Sequence, residues 1–194
     1  MSALGNGLLA AGHDEDALSV QEAELSLRRR VGDSERSILE VQGNLAVTYR
    51  RVGRAEQALR LRRDVYSGHL KLSGEENVTT LLAANNYAHG LLTLQRYAEA
   101  KSLLRKTIPL ARRVLGESDA LSFRMSLNYT EALYSNPSAT LDDVREAVTT
   151  LEKTARTARR VLGGAHPLTL ATEEGLRVSR ATLHADEGTS PGNA

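Results

Sequence analysis

One phrase recurs four times along this chain: RRRVGDSERSIL (Arg28 to Leu39), LKLSGEENVTTL (Leu70 to Leu81), RRVLGESDALSF (Arg112 to Phe123) and RRVLGGAHPLTL (Arg159 to Leu170). A repeat of this length restricts the fold more than any single motif. Each copy must be one supersecondary unit that packs on its neighbours. Gly32, Gly74 and Gly116 stand 42 residues apart, and Gly163 follows after 47. Asn44, Asn86 and Asn128 keep the 42-residue step, while Ala58, Ala100 and Ala147 keep 42 and then 47. The five extra residues of the third copy lie around Ser135 to Asp143. The units are therefore 32–73, 74–115 and 116–162, preceded by a partial unit 1–31 and followed by a partial or capping unit 163–185. Residues 186–194, DEGTSPGNA, are expected to be a disordered tail.

Each unit has the pattern of two helices. The first-helix set is Arg36 to Val52, Val78 to Leu94 and Ala120 to Tyr134; the second is Ala55 to Leu72, Tyr97 to Leu115 and Leu141 to Leu162. In the last of these, Leu141, Val144, Val148, Leu151, Ala155, Ala158 and Leu162 fall at steps of three and four, one face of a helix. No stretch alternates with period two, so no sheet is expected. The recurring phrase is punctuation. Gly163 ends a helix in a left-handed cap, and Pro167 suits the first turn of the next. Asp33/Ser34, Glu75/Glu76 and Ser118/Asp119 offer capping or dipole-matching side chains. Pro109 lies inside a second helix and removes the bond to the Arg105 carbonyl, so a bend is expected there.

Composition supports this. Aromatics are 4% of the chain, with no Trp and one Phe, so the core is Leu, Val and Ala. Net charge is +1, and no global field draws the chain to nucleic acid or an anionic membrane. Cysteine is absent, which removes disulfides, thiolate metal sites and a Cys nucleophile, and fits a reducing, cytoplasmic setting. No apolar run reaches the roughly 20 residues that span a bilayer. The start, MSALGNGLLAAG, lacks a basic region and is expected to be helix, not signal peptide.

Paired helices with small residues at fixed positions resemble tetratricopeptide repeats, and the 42-residue length resembles the kinesin-light-chain variety. The matching residues are Asn44-Leu45-Ala46 with Tyr49, Gly53-Arg54 and Ala58; Asn85-Asn86-Tyr87-Ala88 and Tyr97-Ala98-Glu99-Ala100; Asn128-Tyr129; and His166-Pro167-Leu168-Thr169-Leu170. Thr130 replaces the third alanine, and Glu174-Gly175-Leu176-Arg177 stands where Asn-Asn-Leu-Ala is the pattern. The heptad coiled coil of kinesin light chains is absent from this sequence, and no motor subunit is inferred. The resemblance implies an all-α fold, a right-handed α-solenoid of stacked antiparallel helix pairs whose first helices line a concave groove.

Projecting that pattern puts Glu40, Gly43, Asn44, Val47 and Arg51 on the groove from the first unit. Leu82, Asn85, Asn86, His89 and Thr93 come from the second, and Arg124, Leu127, Asn128, Glu131 and Tyr134 from the third, followed by Glu174 and Val178. The peptide-binding candidates are Asn44, Arg51, Asn85, Asn86, His89, Arg124, Asn128 and Glu131. An Asn amide both donates and accepts, so it can hold an extended backbone; equally, it can bond to the next helix and set register. Arg177 and Arg180, polar where packed residues stood, fit a capping helix; the short first helix at the N-terminus fits a truncated array instead.

Other chemistry finds little support. RRVLGGAHP lacks the GxxxxGK pattern of a phosphate loop. The five histidines (His13, His69, His89, His166, His184) have no HExxH or paired spacing, so neither a metal site nor a cofactor is expected. Asp142-Asp143 and Glu173-Glu174 are adjacent pairs that do not face one another on a helix. The arginine pairs lie near helix ends without interleaved aromatics. The expected activity is a non-catalytic interaction scaffold for a peptide or protein segment. No nucleic acid, membrane or small-molecule partner is expected. The alternatives are a nucleic-acid-binding solenoid using the arginine pairs and a regulatory fragment of a larger signalling protein.

Overall fold

The computed structural model describes residues 2–189. Among them are nine helices and no strand: α1 (Ser2–Ala10), α2 (Asp14–Arg30), α3 (Glu35–Arg51), α4 (Ala55–Ser73), α5 (Val78–Thr93), α6 (Tyr97–Leu115), α7 (Ala120–Tyr134), α8 (Leu141–Leu162) and α9 (Pro167–Thr189). The chain divides into two compact units, Met1–Leu94 and Gln95–Ala194. The tail expected over 186–194 overlaps α9 as far as Thr189, and the remainder lies outside the described residues.

In the first unit α1 packs on α2, α2 on α3, α3 on α4 and α4 on α5, with α1 also reaching α3. In the second, α6 packs on α7, α7 on α8 and α8 on α9, and α7 also meets α9. Within each unit, consecutive helices joined by three- to six-residue turns lie side by side, as short connections require. The small residues sit at the contacts. Ala46, Ala58 and Ala88 are buried in the first unit, and Ala100, Ala111, Ala147 and Ala158 in the second. One core cluster of the first unit joins Leu18 and Leu25 of α2 to Val41 and Leu45 of α3, with Ile38, Tyr49, Val52 and Leu61 packed around it. A polar tie crosses the same contact, where Thr48 Oγ1 donates to Gln21 Oε1 at 2.5 Å. In the second unit Phe123, Met125, Leu133, Val144 and Leu151 are buried.

The repeated phrase ends one helix and starts the next, as its residues predict, with two corrections. Gly74, Gly116 and Gly163 have φ of 79°, 91° and 85°, but ψ of 174°, 161° and 160°. This is not the left-handed helical cap expected for Gly163. It is the extended mirror region that essentially only glycine enters. Gly32 differs: the Asp33 N–H donates to the Arg28 carbonyl and the Gly32 N–H to the Arg29 carbonyl, a Schellman turn. The second correction concerns caps. Ser34 and Asp119 accept from the Ser37 and Leu121 N–H groups, but α5 is capped by Asn77, not Glu75 or Glu76. A short amide reaches its own first turn; a glutamate stem overshoots it. Thr140 and Asp143 form a reciprocal capping box on α8. Helix α6 runs through Pro109 without interruption.

Candidate functional site

The groove candidates are carried by α3 and α5 in the first unit and by α7 and α9 in the second, and each unit has its own geometry. A pocket of about 100 Å³ opens between α3 and α5, over α4. Gly43 and Val47 line it from α3, Ala83 and Asn86 from α5, and Arg62 and Val65 from α4. Val47 and Leu82, one on each first helix, remain 40% and 42% exposed. The pocket exists because Gly43 and Ala83 carry so little side chain at their helix faces.

Sequence reasoning missed the residue that sets the electrostatics of this pocket. Arg62 belongs to a second helix, yet its guanidinium reaches the first-helix side by packing on Gly90 of α5. A Cβ at Gly90 would lie 3.1 Å from Arg62 Nη1 and 2.9 Å from Leu59 Cδ1, so a side chain at residue 90 would contest that space. Desolvation, then the charge of Arg50, holds the Arg62 pKa below its ordinary value. The same surroundings act on His89, whose imidazole is pushed down by desolvation first, then by Arg62 and Arg50. No carboxylate offsets Arg62 among the described residues. The available signal was Gly90 itself, a helix-interior glycine in YAHGLL.

The other first-unit candidates separate. Asn86 is exposed beside the pocket, and Asn44 is half-buried on α3, with its backbone carbonyl accepting from Thr48 Oγ1 at 3.4 Å. Asn85 is buried inside the unit. Arg51 is engaged in the fold: its Nη2 pairs with Asp14 Oδ1 at 2.8 Å and its Nη1 donates to the Leu9 carbonyl at 2.8 Å. It ties the end of α3 to α1 and α2.

The second-unit face has the opposite character. Arg124 is exposed and Asn128 half-buried on α7. Glu131, also half-buried, has its carboxyl pushed above the usual range by desolvation. Tyr134 is raised by desolvation, then by Glu131 and Glu174. Across from them Glu174 of α9 pairs with Arg177 at 2.5 Å. Residue 175 of α9 is glycine, and a Cβ there would meet Leu151 at 3.5 Å and Tyr134 Oη at 3.9 Å, both ordinary contacts.

Two further grooves lie on second helices of this unit. One, of about 180 Å³, is lined by Arg105, Ile108, Pro109, Arg112 and Tyr129 with Glu146 and Thr150 of α8. The other, of about 520 Å³, includes Glu152, Ala155, Arg156, Arg159 and Leu176, the same five repeat positions moved on by 47 residues. The ion pairs Arg180–Glu152 at 2.7 Å and Arg159–Glu173 at 2.6 Å bridge it. No described helix is long and apolar enough to cross a membrane.

Comparison with known proteins agrees with this architecture. Residues 80–120 match the family described as tetratricopeptide repeat. The crystal structure of kinesin-light-chain nearly identical TPR-like repeats from Podosopora anserina superposes with a TM-score of 0.79 at 21% identity, covering 96% of this chain and 87% of that one. A point variant of those same repeats gives 0.81 at 21% identity, with 96% and 86% covered. BtubC (BKLC) from P. vanneervenii gives 0.63 at 16% identity, covering 100% of this chain and 82% of that one. No curated protein matches the chain in sequence. The fold is that of these tetratricopeptide-like repeat structures.

Proposed function

We propose that this array of tetratricopeptide type is a non-catalytic, cytoplasmic scaffold that holds an extended peptide or protein segment on its first-helix faces. The observation that carries this reading is the pocket between α3 and α5. It is lined by the exposed aliphatic side chain of Val47 and the exposed amide of Asn86, and Leu82 is exposed on the same helix as Asn86. An extended ligand needs both elements: apolar contact for affinity, and a donor–acceptor group that satisfies its backbone without reading its side chains. His89 and Asn44 extend the same face of the first unit, and Asn85 lies buried on the helix that carries Asn86. Asn128, Arg124 and Glu131 form the candidate face of the second. Arg51 supports the groove indirectly by holding α3 against α1 and α2.

Selection of a displayed random-peptide library on the full chain tests the reading. Enriched peptides should bind wild type and lose about tenfold in affinity with Asn86→Ala or Val47→Asp, while helicity by circular dichroism stays unchanged. Unchanged affinity in both variants removes the groove role. Binding should fall only gently with salt; a steep fall, together with capture of oligonucleotides, would favour a nucleic-acid solenoid instead.

A further inference from the structure

Resting on that groove reading, we propose that the α3–α4–α5 pocket is an oxyanion subsite. In it Arg62, reaching in from the outer helix, receives the carboxylate or phosphoryl group of a ligand side chain.

Arg62 is costly where it stands. Its guanidinium is partly desolvated, faces the like charge of Arg50 and makes no hydrogen bond or ion pair with any described residue. Buried cations in proteins are ordinarily paired, because the loss of hydration is otherwise uncompensated. The contrast within this chain is direct. Arg51 has Asp14, Arg28 has Glu24 and Asp33, and Arg180 has Glu152. Arg62 combines desolvation with an open pocket in front of it.

The pocket suits the missing counter-charge. Val47, Val65 and Ala83 offer an apolar wall for a short aliphatic stem, and Arg62 and Asn86 supply N–H donors for its head. About 100 Å³ is room for one such side chain. His89 lies in the field of the same two arginines. An anion seated on Arg62 offsets that field and draws the imidazole pKa back up. That provides a readout independent of ligand affinity.

The test uses the full chain and two probes, acetate and inorganic phosphate, each titrated at fixed ionic strength against chloride and followed by amide and imidazole NMR. The expected result is saturable shifts confined to Gly43, Val47, Asn86 and Gly90 with one or both probes, and a rise in the His89 pKa. Arg62→Gln should weaken binding at least about tenfold, Arg62→Lys should retain part of it, and Arg160→Gln, at an exposed arginine of α8 outside both candidate faces, should leave it unchanged. Preference for acetate assigns a carboxylate ligand and preference for phosphate a phosphorylated one. Absence of saturable local shifts with both probes, or the same shifts in Arg62→Gln, overturns the subsite. Peptide binding sensitive to Asn86→Ala but insensitive to Arg62→Gln would overturn the subsite while leaving the groove reading intact.

Discussion

The two first-helix faces of this chain are built from the same repeat, yet they solve opposite electrostatic problems. In the pocket between α3 and α5 a desolvated cation, Arg62 of α4, has no carboxylate acting on it or on His89; on α7 and α9 a desolvated carboxylate, Glu131, sits with Tyr134 and Glu174. The scaffold under each is interchangeable, with alanines at the contacts and glycines at the turns. What differs is which long side chains the scaffold leaves without company. The repeat therefore keeps its packing positions while its face positions differ in charge, because only the former are constrained by neighbouring helices.

The sharpest way to break this comparison is to remove core volume from one unit at a time. Leu91→Ala in α5 and Leu151→Ala in α8 each delete a side chain that is at most 1% exposed, and each should cost about 2–5 kcal/mol. Hydrogen exchange should show the loss of protection concentrated in the unit that carries the change. Equal loss throughout would make the two units one cooperative block, and the contrast between their faces would lose its structural basis.

A smaller effect is expected at a charge the second unit has paired. Lys101 Nζ lies 2.6 Å from Asp143 Oδ1, and that hydrogen bond is the main reason the carboxyl sits below its ordinary pKa, helped by the Thr140 N–H. A depressed carboxylate contributes stability above its unfolded pKa and loses it as pH falls through the folded value. Asp143→Asn should thus cost about 1 kcal/mol near neutrality, with the gap from wild type closing below pH ~4. A gap that persists in acid would assign the effect to the capping box instead.

Glu131 carries the opposite sign and the smallest effect. Its raised pKa means that stability is fully present below the ordinary carboxylate value and is lost as pH rises through the folded one. Glu131→Gln should stabilise the chain by about 0.5–1 kcal/mol at neutral pH and by nothing below pH ~4. A destabilised Glu131→Gln protein in thermal melts would mean that this carboxylate is structural, and the symmetry with Arg62 would fall.

How much of this was legible depends on the kind of residue. Ala88 and Gly116 announce themselves, since a small residue at fixed spacing has few uses besides close packing or a special backbone. The bounds of α6, α7 and α8 follow from the apolar period, and those of α3 to α5 differ from the pattern by a residue at their ends. Arg51 and Arg62 could not be sorted. Both are arginines within a few turns of a helix end, and the repeat pattern offered Arg51 as the groove residue. Asp14, distant in the chain, draws Arg51 into the fold, whereas Gly90 admits Arg62 to the pocket. Gln95 is a similar case: φ of 57° at the repeat position of Gly53 is a conformation imposed on it by the turn it must complete.

The amino-acid sequence by itself determined the helix pairs, their period and the alanine contacts, because these rest on local turn chemistry and on an apolar spacing that neighbouring units must share. Only the tertiary structure decided which charges remain open. The reach of a long side chain, and the presence of a counter-charge within it, depend on residues brought together from separate helices, and no periodicity records that distance.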